Sequence, residues 1–339
     1  MFPALPTAFR PKSIEVHRLS LDAERHVRDE AETRGPAQPS GLPAGASAAI
    51  GSFDGVHLGH RQVIGLAVEA AKRENKPAAV ICFDPHPQDF FRPDGGPFHL
   101  MDLSQQLRAF EALGVGYAYV LAFDARMSQL SPEDFARLVL RDQLKLSHIA
   151  AGSDFHFGRK GEGKANDLAA FGQTLGFTAD ILPLQTDADG NKLSSTHVRQ
   201  ALLAGDIVRA NAILGHPQAY LGTVDHGAKL GRTIDFPTLN LTLGRYQRPR
   251  YGIYVTETAL PDGRVIAGVS NIGVRPTVGG DIELLETYLF DFSEEIYGQT
   301  VETRLLDFIR PEAKFDSIEA LRVAIQDDAA RARAWFKRR

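Results

Sequence analysis

The sequence contains few of the features that mark secreted, membrane-bound or disulfide-stabilised proteins. It has one cysteine, Cys82, among 339 residues, so an intrachain disulfide and a compact cysteine-based metal site are both excluded. No stretch approaches the roughly 18 consecutive apolar residues that a membrane-spanning helix needs. The basic residues near the N-terminus are not followed by an apolar segment, so no secretory signal is predicted. These absences favour a cytoplasmic protein without a membrane partner.

An excess of positive charge is also lacking. The 38 Lys and Arg residues are outnumbered by 42 Asp and Glu residues, which gives a formal net charge of -4. Nucleic acid is therefore not predicted as a partner, and a small anionic substrate would need local positive charge. Hydrophobic residues make up 43% of the chain and charged residues 24%, as in ordinary globular proteins. The length favours two domains, and we expect a monomer or a weak homo-oligomer.

The first half of the chain alternates short apolar runs with helical patterns, which predicts a parallel sheet covered by helices. The runs are Ala48–Gly51, Ala78–Phe83, Tyr117–Ala122, His148–Gly152 and Thr178–Leu182. Helical patterns cover Leu58–Asn75, a segment that begins at Ser131, and Leu168–Leu175. Ligands of such sheets bind at the carboxyl ends of the strands.

The second half has a different rhythm, in which strand-like runs are separated by Gly, Pro, Asp and Asn. The runs are Tyr220–Val224, Thr238–Leu243, Gly252–Thr258, Val265–Ile272, Leu284–Phe292 and Thr300–Phe308, and one helix is predicted over Ile318–Phe336. The predicted fold is therefore α/β, with an N-terminal Rossmann-like parallel sheet and a small C-terminal antiparallel β-barrel that ends in a helix. The predicted division is a lead-in over 1–44, a first domain over 45–217 and a second domain over 218–339.

The run GSFDGVHLGH leaves the first strand and enters the first helix. His57 and His60 are three residues apart, so they share one face at a helix N-terminus, where backbone N–H groups favour phosphate. Two imidazoles at this position can donate hydrogen bonds to phosphate oxygens as charge builds in a transition state. The alternative is a pair of capping or surface histidines.

Three further segments in the first half carry polar or aromatic groups. FDPHP follows the second strand and is also explained by a rigid turn. GSDFHFG follows the fourth strand, and its aromatic rings either stack on a planar ligand or cap the core. SSTHVR begins a helix with hydroxyl groups and Arg199, which suits a phosphate chain and equally an ordinary helix cap with a solvated arginine.

The second half offers a basic, glycine-containing loop and a polar strand. GAKLGR (227–232) is followed by FPTLN, in which Thr238 and Asn240 point the same way from a strand. Their oxygens suit Mg²⁺, although an exposed polar strand face explains them equally well. Residues 271–277 are predicted to form a loop, and Glu286 lies within a strand-like run, where a lone glutamate usually faces solvent.

Taken together, GSFDGVHLGH, FDPHP, GSDFHFG and SSTHVR, in that order, resemble the nucleotidyltransferase domain of bacterial bifunctional riboflavin kinase/FAD synthetases. The resemblance covers about 45–215 and implies adenylylation of FMN to FAD with ATP. It implies that His57, His60 and Arg199 are catalytic. The ATP-binding residues that it implies are Ser52, Phe53, Asp54, Gly59, Ser195 and Thr196, and the residues at the flavin are Asp154 and Phe155.

The segments GRTIDFPTLN, YGIY, GVSNIGVRPT, LET, IYG and RPEAKF resemble the riboflavin kinase domain of the same family over about 218–339. This resemblance implies phosphorylation of riboflavin to FMN, with Glu286 as the base and Thr238 and Asn240 at Mg²⁺. The further residues that it implies are Gly227, Lys229, Gly231 and Arg232 at ATP, and Asn271, Arg275, Arg310 and Phe315 at the flavin. Riboflavin, FMN and ATP are thus the expected small-molecule substrates.

The chain departs from the family pattern at three positions. Gly161 stands where a basic residue is usual, Asp235 where glycine is usual, and Tyr288 where histidine is usual. A weakened or silent kinase domain is therefore one alternative. A nucleotidyltransferase that acts on another mononucleotide, or a non-catalytic barrel that binds flavin or RNA, are the others. The kinase-like barrel argues against a nucleotidyltransferase for another mononucleotide. The intact motifs and the negative net charge argue against a non-catalytic barrel that binds flavin or RNA.

Overall fold

The structure is a computed structural model that describes residues 5–22, 27–29, 41–187, 190, 192–225, 236–277 and 280–339. The chain divides into two compact units. One comprises Pro11–Gly95 and Leu103–Leu193, and the other comprises Met1–Arg10, Gly96–Asp102 and Ser194–Arg339. The sequence-based division at residue 217 stays a prediction.

The first unit is built on a seven-stranded sheet in the order β2-β1-β5-β4-β3-β6-β9, in which every neighbouring pair except β1–β2 is parallel. The strands are β1 (Glu15–Leu21), β2 (Val27–Asp29), β3 (Ser47–Ile50), β4 (Ala78–Asp84), β5 (Tyr117–Ala122), β6 (His148–Gly152) and β9 (Thr178–Leu182). A separate two-stranded ribbon pairs β7 (His156–Phe157) with β8 (Gly163–Lys164). The parallel sheet expected from the alternating apolar runs is confirmed.

Helices connect the parallel strands, as a parallel sheet requires. They are α1 (Leu58–Glu74), α2 (Pro87–Phe91), α3 (Leu103–Ala112), α4 (Pro132–Asp134, which continues as a π-helix over Phe135–Gln143) and α5 (Ala165–Leu175). The helix α1 packs on β3, β4 and β6 through a face of small and branched residues that includes Ile64, Ala67 and Ala71. The four residues of β3 are all buried, so the carboxyl end of this strand opens directly into the loop before α1.

The second unit is built on a six-stranded antiparallel sheet in the order β10-β15-β12-β13-β14-β11. Its strands are β10 (Gln218–Thr223), β11 (Thr238–Thr242), β12 (Gly252–Ala259), β13 (Val265–Thr277), β14 (Gly280–Leu289) and β15 (Thr300–Pro311). The two edge strands approach each other at an antiparallel bridge between Asp225 and Asn240. The sheet therefore curves into a half-barrel, which confirms the predicted antiparallel architecture.

The helices of the second unit are α6 (Ser195–Ala204), α7 (Ile207–Leu214) and α8 (Ile318–Lys337). The C-terminal helix α8 covers β12, β13 and β15, because its small residues Ala329 and Ala332 pack against Val255, Val269 and Leu306. The helix α7 packs on β15 and β10, where the Asn211 side chain bonds backbone groups of both strands. In the part of the chain that the structure describes, no helix is long and apolar enough to cross a membrane.

The structure corrects two predictions about local structure. Residues 271–277 do not form a loop, because β13 continues to Thr277 and pairs with β14 along that whole length. The sequence analysis also identified no strand before residue 47, whereas β1 is a full strand whose side chains alternate between buried and partly exposed. Both segments are polar or interrupted by Gly and Pro, so their composition does not indicate a strand. They form strands because a neighbouring strand supplies hydrogen-bond partners for their backbone N–H and C=O groups.

Candidate active sites

The loop between β3 and α1 is held in an unusual backbone conformation. Phe53 and Val56 have positive φ values of 50° and 38°, which is a strained state for side chains of their size. Phe53 is buried, and its ring meets the His60 and Phe110 rings edge-on at centroid distances of 5.4 and 5.6 Å. Asp54 is also buried. The positive φ values destabilise this loop conformation, and the packing of the buried side chains holds the loop in it.

His57 and His60 lie together at the start of α1. His57 is the N-cap residue of the helix, and its Nδ1 accepts a hydrogen bond from the His60 amide at 3.3 Å. The two imidazole rings are stacked, with centroids 3.6 Å apart. Because Nδ1 of His57 accepts, the neutral ring carries its proton on Nε2, which makes Nε2 a donor. The pair therefore joins ring N–H groups to a helix N-terminus, as a phosphate site requires.

Gly59 allows the close packing beside this pair. A Cβ atom at position 59 would lie 3.1 Å from Cε1 of His57 and 3.3 Å from the carbonyl oxygen of Leu193. Such distances require the neighbouring atoms to move, so a side chain here would displace the His57 ring.

The loop after β6 carries Asp154 and Phe155. The Asp154 carboxylate is exposed and pairs with Lys192 at 3.1 Å. Phe155 is half-buried, packs against the core of the sheet and stacks with Phe157 at 5.8 Å. Both residues follow a strand next to β3, so they lie at the carboxyl edge of the sheet where ligands bind.

Ser195, Thr196 and Arg199 lie in the first turns of α6. The helix is capped by Ser194, whose hydroxyl accepts from the amide of His197 at 3.4 Å. The Arg199 guanidinium carbon lies 3.7 Å from the centre of the Phe98 ring, and its Nε donates to the Phe98 carbonyl at 3.0 Å. The hydroxyls and the cation thus occupy one helix start, as the sequence predicted.

Four of the predicted kinase residues lie in a single row across five strands of the half-barrel. Asn240 of β11 is paired with Glu286 of β14, and Glu286 is paired with Asn271 of β13. Asn271 is paired through Ile253 of β12 with Arg310 of β15. Directly paired residues share a face of the sheet, so all of these side chains project on the same side. Thr238 lies two residues before Asn240 and shares this face.

The two asparagines in this row carry buried oxygen atoms. Among the described residues, neither Oδ1 of Asn240 nor Oδ1 of Asn271 accepts a hydrogen bond. A buried acceptor without a partner costs roughly 1–3 kcal/mol, which a bound cation, water or substrate hydroxyl would recover. Amide oxygens are ligands that Mg²⁺ accepts, so Asn240 and the hydroxyl of Thr238 fit such an ion.

Glu286 lies between these asparagines and is about 29% exposed. One oxygen is 3.4 Å from the Arg275 guanidinium, which balances its charge. Glu312 approaches the same place, because a Cβ atom at Gly273 would collide with its carboxylate. Burial raises the pKa of Glu312, and the neighbouring Glu286 raises it further, while a hydrogen bond with Asn271 acts in the opposite direction. Two carboxylates and one arginine thus line this face.

Arg310 at the other end of the row is held firmly. Its Nε and Nη2 donate to the two oxygens of Asp328 on α8, at 2.9 and 2.6 Å. Asp328 is almost completely buried, and the Arg310 guanidinium lies 5.7 Å from the centre of the Phe315 ring. The bidentate pair fixes both the position and the plane of the guanidinium.

Part of the predicted kinase site lies outside the described residues. This holds for Gly227, Lys229, Gly231 and Arg232, and for Asp235, one of the departures from the family pattern. Of the other departures, Gly161 has a φ of 69°, which a basic residue would adopt only with strain. Tyr288 pairs with Thr238 across β14 and β11 and packs on Phe236.

Sequence reasoning did not identify Asp328, Glu312, Lys192 or Phe98. Each supports a predicted site residue through tertiary contacts. Glu312 lies inside the RPEAKF segment, which drew attention only to Arg310 and Phe315, and the other three lie outside the quoted motifs. Asp328 follows another aspartate in an otherwise ordinary amphipathic helix, so nothing local distinguishes it from a solvent-facing residue.

The two units define a class of protein: a parallel-sheet domain with a phosphate-type helix start, followed by an antiparallel half-barrel with a row of polar groups. The model of the FAD synthetase family matches residues 41–197, and the model of the riboflavin kinase family matches residues 214–336. Among curated proteins, the bifunctional riboflavin kinase/FMN adenylyltransferase of Haemophilus influenzae is 38% identical over 86% of this chain and 94% of its own length. Those of Escherichia coli K12 and Bacillus subtilis are 39% and 36% identical over 85% of this chain, and 91% and 92% of their own lengths.

The chain therefore belongs to the family of bifunctional riboflavin kinase/FMN adenylyltransferases. A crystal structure of a Streptococcus pneumoniae protein named as a macrolide-efflux protein has the same fold, with a TM-score of 0.75 and 31% identity over 85% of this chain and 93% of that chain. That name applies to the Streptococcus protein alone.

Proposed function

We propose that His57, His60 and Arg199 carry the adenylylation of FMN, and that Glu286 and the polar row around it carry the phosphorylation of riboflavin. Membership of the family gives the chain both activities. His57 and His60 lie in the first unit, whereas Arg199 and the kinase row lie in the second. The observation that most directly supports the assignment is the row in which Glu286 lies between two asparagines with buried, unpartnered oxygens.

In adenylylation, a phosphate oxygen of FMN attacks the α-phosphorus of ATP, the bond from that phosphorus to the β-phosphate oxygen breaks, and pyrophosphate leaves. This chemistry needs no protein nucleophile and rests on positioning and charge stabilisation. In our proposal the ring N–H groups of His57 and His60 and the amides at the start of α1 bind phosphate oxygens. Arg199 and the hydroxyls of Ser195 and Thr196 bind the triphosphate, and charge-assisted hydrogen bonds to a guanidinium are strong enough for that role.

In phosphorylation, the terminal ribityl hydroxyl of riboflavin attacks the γ-phosphorus of ATP and ADP leaves. Glu286 accepts the hydroxyl proton, for which an ionised carboxylate within hydrogen-bond reach is suited. The Arg275 guanidinium lies 3.4 Å from this carboxylate and counters its negative charge. Arg310, fixed by Asp328, and Phe315 provide a planar cation and a ring for the flavin.

We also propose that Mg²⁺ accompanies ATP in the kinase reaction, with Thr238 and Asn240 as its protein ligands. When bound, the ion would neutralise charge on the phosphates. In the described residues no cluster of three His, Cys, Asp or Glu side chains suits a metal, so phosphate and water oxygens would complete the coordination. Because both reactions consume ATP, we place the protein in the cytoplasm.

The test is to incubate the protein with riboflavin, ATP and Mg²⁺ and to separate FMN from FAD by chromatography. His57→Ala should lower FAD formation by roughly 10²-fold or more, because a transition-state hydrogen-bond donor is lost. FMN formation should persist in this variant. His216→Ala is the matched control, since the His216 ring lies after α7 in the second unit, where it bonds the Pro217 carbonyl, and the substitution should leave both rates unchanged. Unchanged FAD formation in His57→Ala would refute the assignment.

A further inference from the structure

A short segment of backbone within the second unit, residues 98–100, is held by hydrogen bonds from other parts of that unit. Its first two amides donate to the carbonyl oxygen of Arg245 at 2.8 and 3.0 Å, and its second carbonyl accepts from the amide of Gln247 at 2.7 Å. Its third carbonyl accepts from the side-chain amide of Gln218, which is 1% exposed. Four hydrogen bonds over three residues leave this backbone little freedom, so Phe98 has a defined position.

Phe98 contacts Arg199 in two ways. Its ring lies under the guanidinium at 3.7 Å, and its carbonyl accepts from Nε at 3.0 Å. The Arg333 guanidinium lies farther from the Phe290 ring, at 4.2 Å, and that of Arg264 lies 5.8 Å from the Phe292 ring. The guanidinium thus lies over the Phe98 ring while its Nε is held by the Phe98 carbonyl, and the two contacts together restrain its orientation.

Both contacts restrain the Arg199 guanidinium, and the orientation of this group determines how it can bind phosphate. A guanidinium binds phosphate through a planar fork of N–H groups, so both its plane and its rotation must match the ligand. An exposed arginine would lose side-chain freedom on binding, and a preorganised one has already lost it. No spacing signal connects residues 98 and 199, which lie 101 positions apart.

We propose that Phe98 is a positioning residue for adenylylation, which orients the Arg199 guanidinium before ATP binds. The proposal rests on the proposed role of Arg199 at the triphosphate. It predicts that the aromatic ring, rather than the bulk of the side chain, is required at position 98.

The first measurement compares Phe98→Leu with Phe98→Tyr. The leucine retains the backbone carbonyl and most of the apolar volume but removes the ring face, so kcat/KM for FAD formation from FMN should fall about tenfold. The tyrosine retains the ring and should stay within about twofold of the wild type. FMN formation from riboflavin should not change in either variant, which also shows that the second unit is intact. Phe292→Leu, which changes a ring farther from an exposed arginine, is the matched control and should change neither reaction.

A double-mutant cycle separates positioning from general stabilisation. Arg199→Lys keeps the charge and loses the planar fork, so it should lower FAD formation, and adding Phe98→Leu should then lower it no further. Additive losses, or equal losses in Phe98→Leu and Phe98→Tyr, would overturn the inference. If Arg199→Lys alone leaves FAD formation unchanged, the proposed role of Arg199 is wrong, which is a different failure. A loss in Arg199→Lys with no loss in Phe98→Leu refutes only the role of Phe98.

Discussion

The carboxylate of Glu286 is the residue on which the kinase assignment depends most. It is partly exposed, paired with Arg275 and placed between two asparagine side chains on neighbouring strands. Glu286→Gln keeps the shape and removes the basic group. We expect kcat for FMN formation to fall by roughly 10²-fold or more, as for loss of a general base, with riboflavin binding retained. FAD formation from added FMN should be unaffected.

The matched control for this substitution is Glu294→Gln. Glu294 is an exposed carboxylate whose pKa is lowered chiefly by its hydrogen bonds from Arg264, and it lies on the surface of the same unit. The Glu294→Gln substitution should leave both reactions at the wild-type rate. If Glu286→Gln keeps kcat within a few-fold of the wild type, another group takes the ribityl proton, and Glu312 is then the next candidate.

At the scale of single residues, the sequence predicted the polar groups of the candidate sites but not the residues that hold those groups in position. His57, His60 and Glu286 stand in segments with a recognisable pattern, because the chemistry restricts both residue type and spacing there. Asp328 and Phe98 hold Arg310 and Arg199 through contacts made only in the folded chain. No local pattern records such contacts, since any surface helix can carry an aspartate.

The start of the helix α1 combines a strained loop with close packing around Gly59. Adding a single methyl group at this position tests whether that packing matters for adenylylation. Gly59→Ala places a Cβ 3.1 Å from the His57 ring, so the ring should move away from its hydrogen bond with the His60 amide. We expect FAD formation to fall at least tenfold, by analogy with the cost of a misplaced catalytic group, with FMN formation unchanged.

Gly65→Ala in the same helix is the control for this change. A Cβ at position 65 meets no atom within 4 Å, so the substitution should only improve helix propensity. The free energy of unfolding should rise by up to about 1 kcal/mol, and FAD formation should remain normal. Equal FAD formation in the two variants would show that close packing at Gly59 does not matter.

An acid-sensitive contact holds the beginning of β14, the strand that carries Glu286. Arg248 donates two hydrogen bonds to Glu283, and the Tyr251 hydroxyl donates to the same carboxylate. The hydrogen bonds from Arg248 hold the pKa of Glu283 below its usual value. Burial and the nearby Glu283 raise the pKa of Tyr251 to about 12, so the hydroxyl stays protonated at neutral pH.

Because the pKa of Glu283 is lower in the folded state than in the unfolded chain, the stabilisation is present above the unfolded pKa, at about 4.3. It is lost as the pH falls through the folded value. Glu283→Gln should therefore melt at a lower temperature than the wild type at pH 7, and the gap should narrow below about pH 4. A gap that stays constant from pH 7 to pH 3 would contradict this coupling.

Most strands could be predicted because each is a short apolar run bounded by Gly, Pro, Asn or Asp. The strand β1 was missed because it carries Glu15, His17 and Arg18, so its apolar content is low. The extension of β13 to Thr277 was missed because Gly273 and Pro276 read as turn residues. The register of the sheet, which aligns Asn240, Glu286, Asn271 and Arg310, depends on pairing between distant strands and is not contained in any one segment.

At the scale of the whole molecule, the two activities should be separable. A fragment of residues 218–339 should form FMN and no FAD. A fragment that begins at Ser194 should do the same and melt at a higher temperature, because it keeps α7 with the bond from Asn211 to the Leu305 carbonyl. Circular dichroism melting and the chromatographic assay test both. If the longer fragment folds, binds flavin and forms no FMN, the kinase assignment fails.

The row across the half-barrel also restricts how this chain can change in length. Side chains alternate between the two faces of a strand, so removing one residue from β14 ahead of Glu286 would turn that carboxylate toward the opposite face while its partners stayed in place. Five strands would have to shift together to restore the alignment. Insertions and deletions inside these strands should thus abolish kinase activity even where the half-barrel still folds. Libraries for engineering should vary length at the turns, such as the one around Gly263, and only residue type along the row.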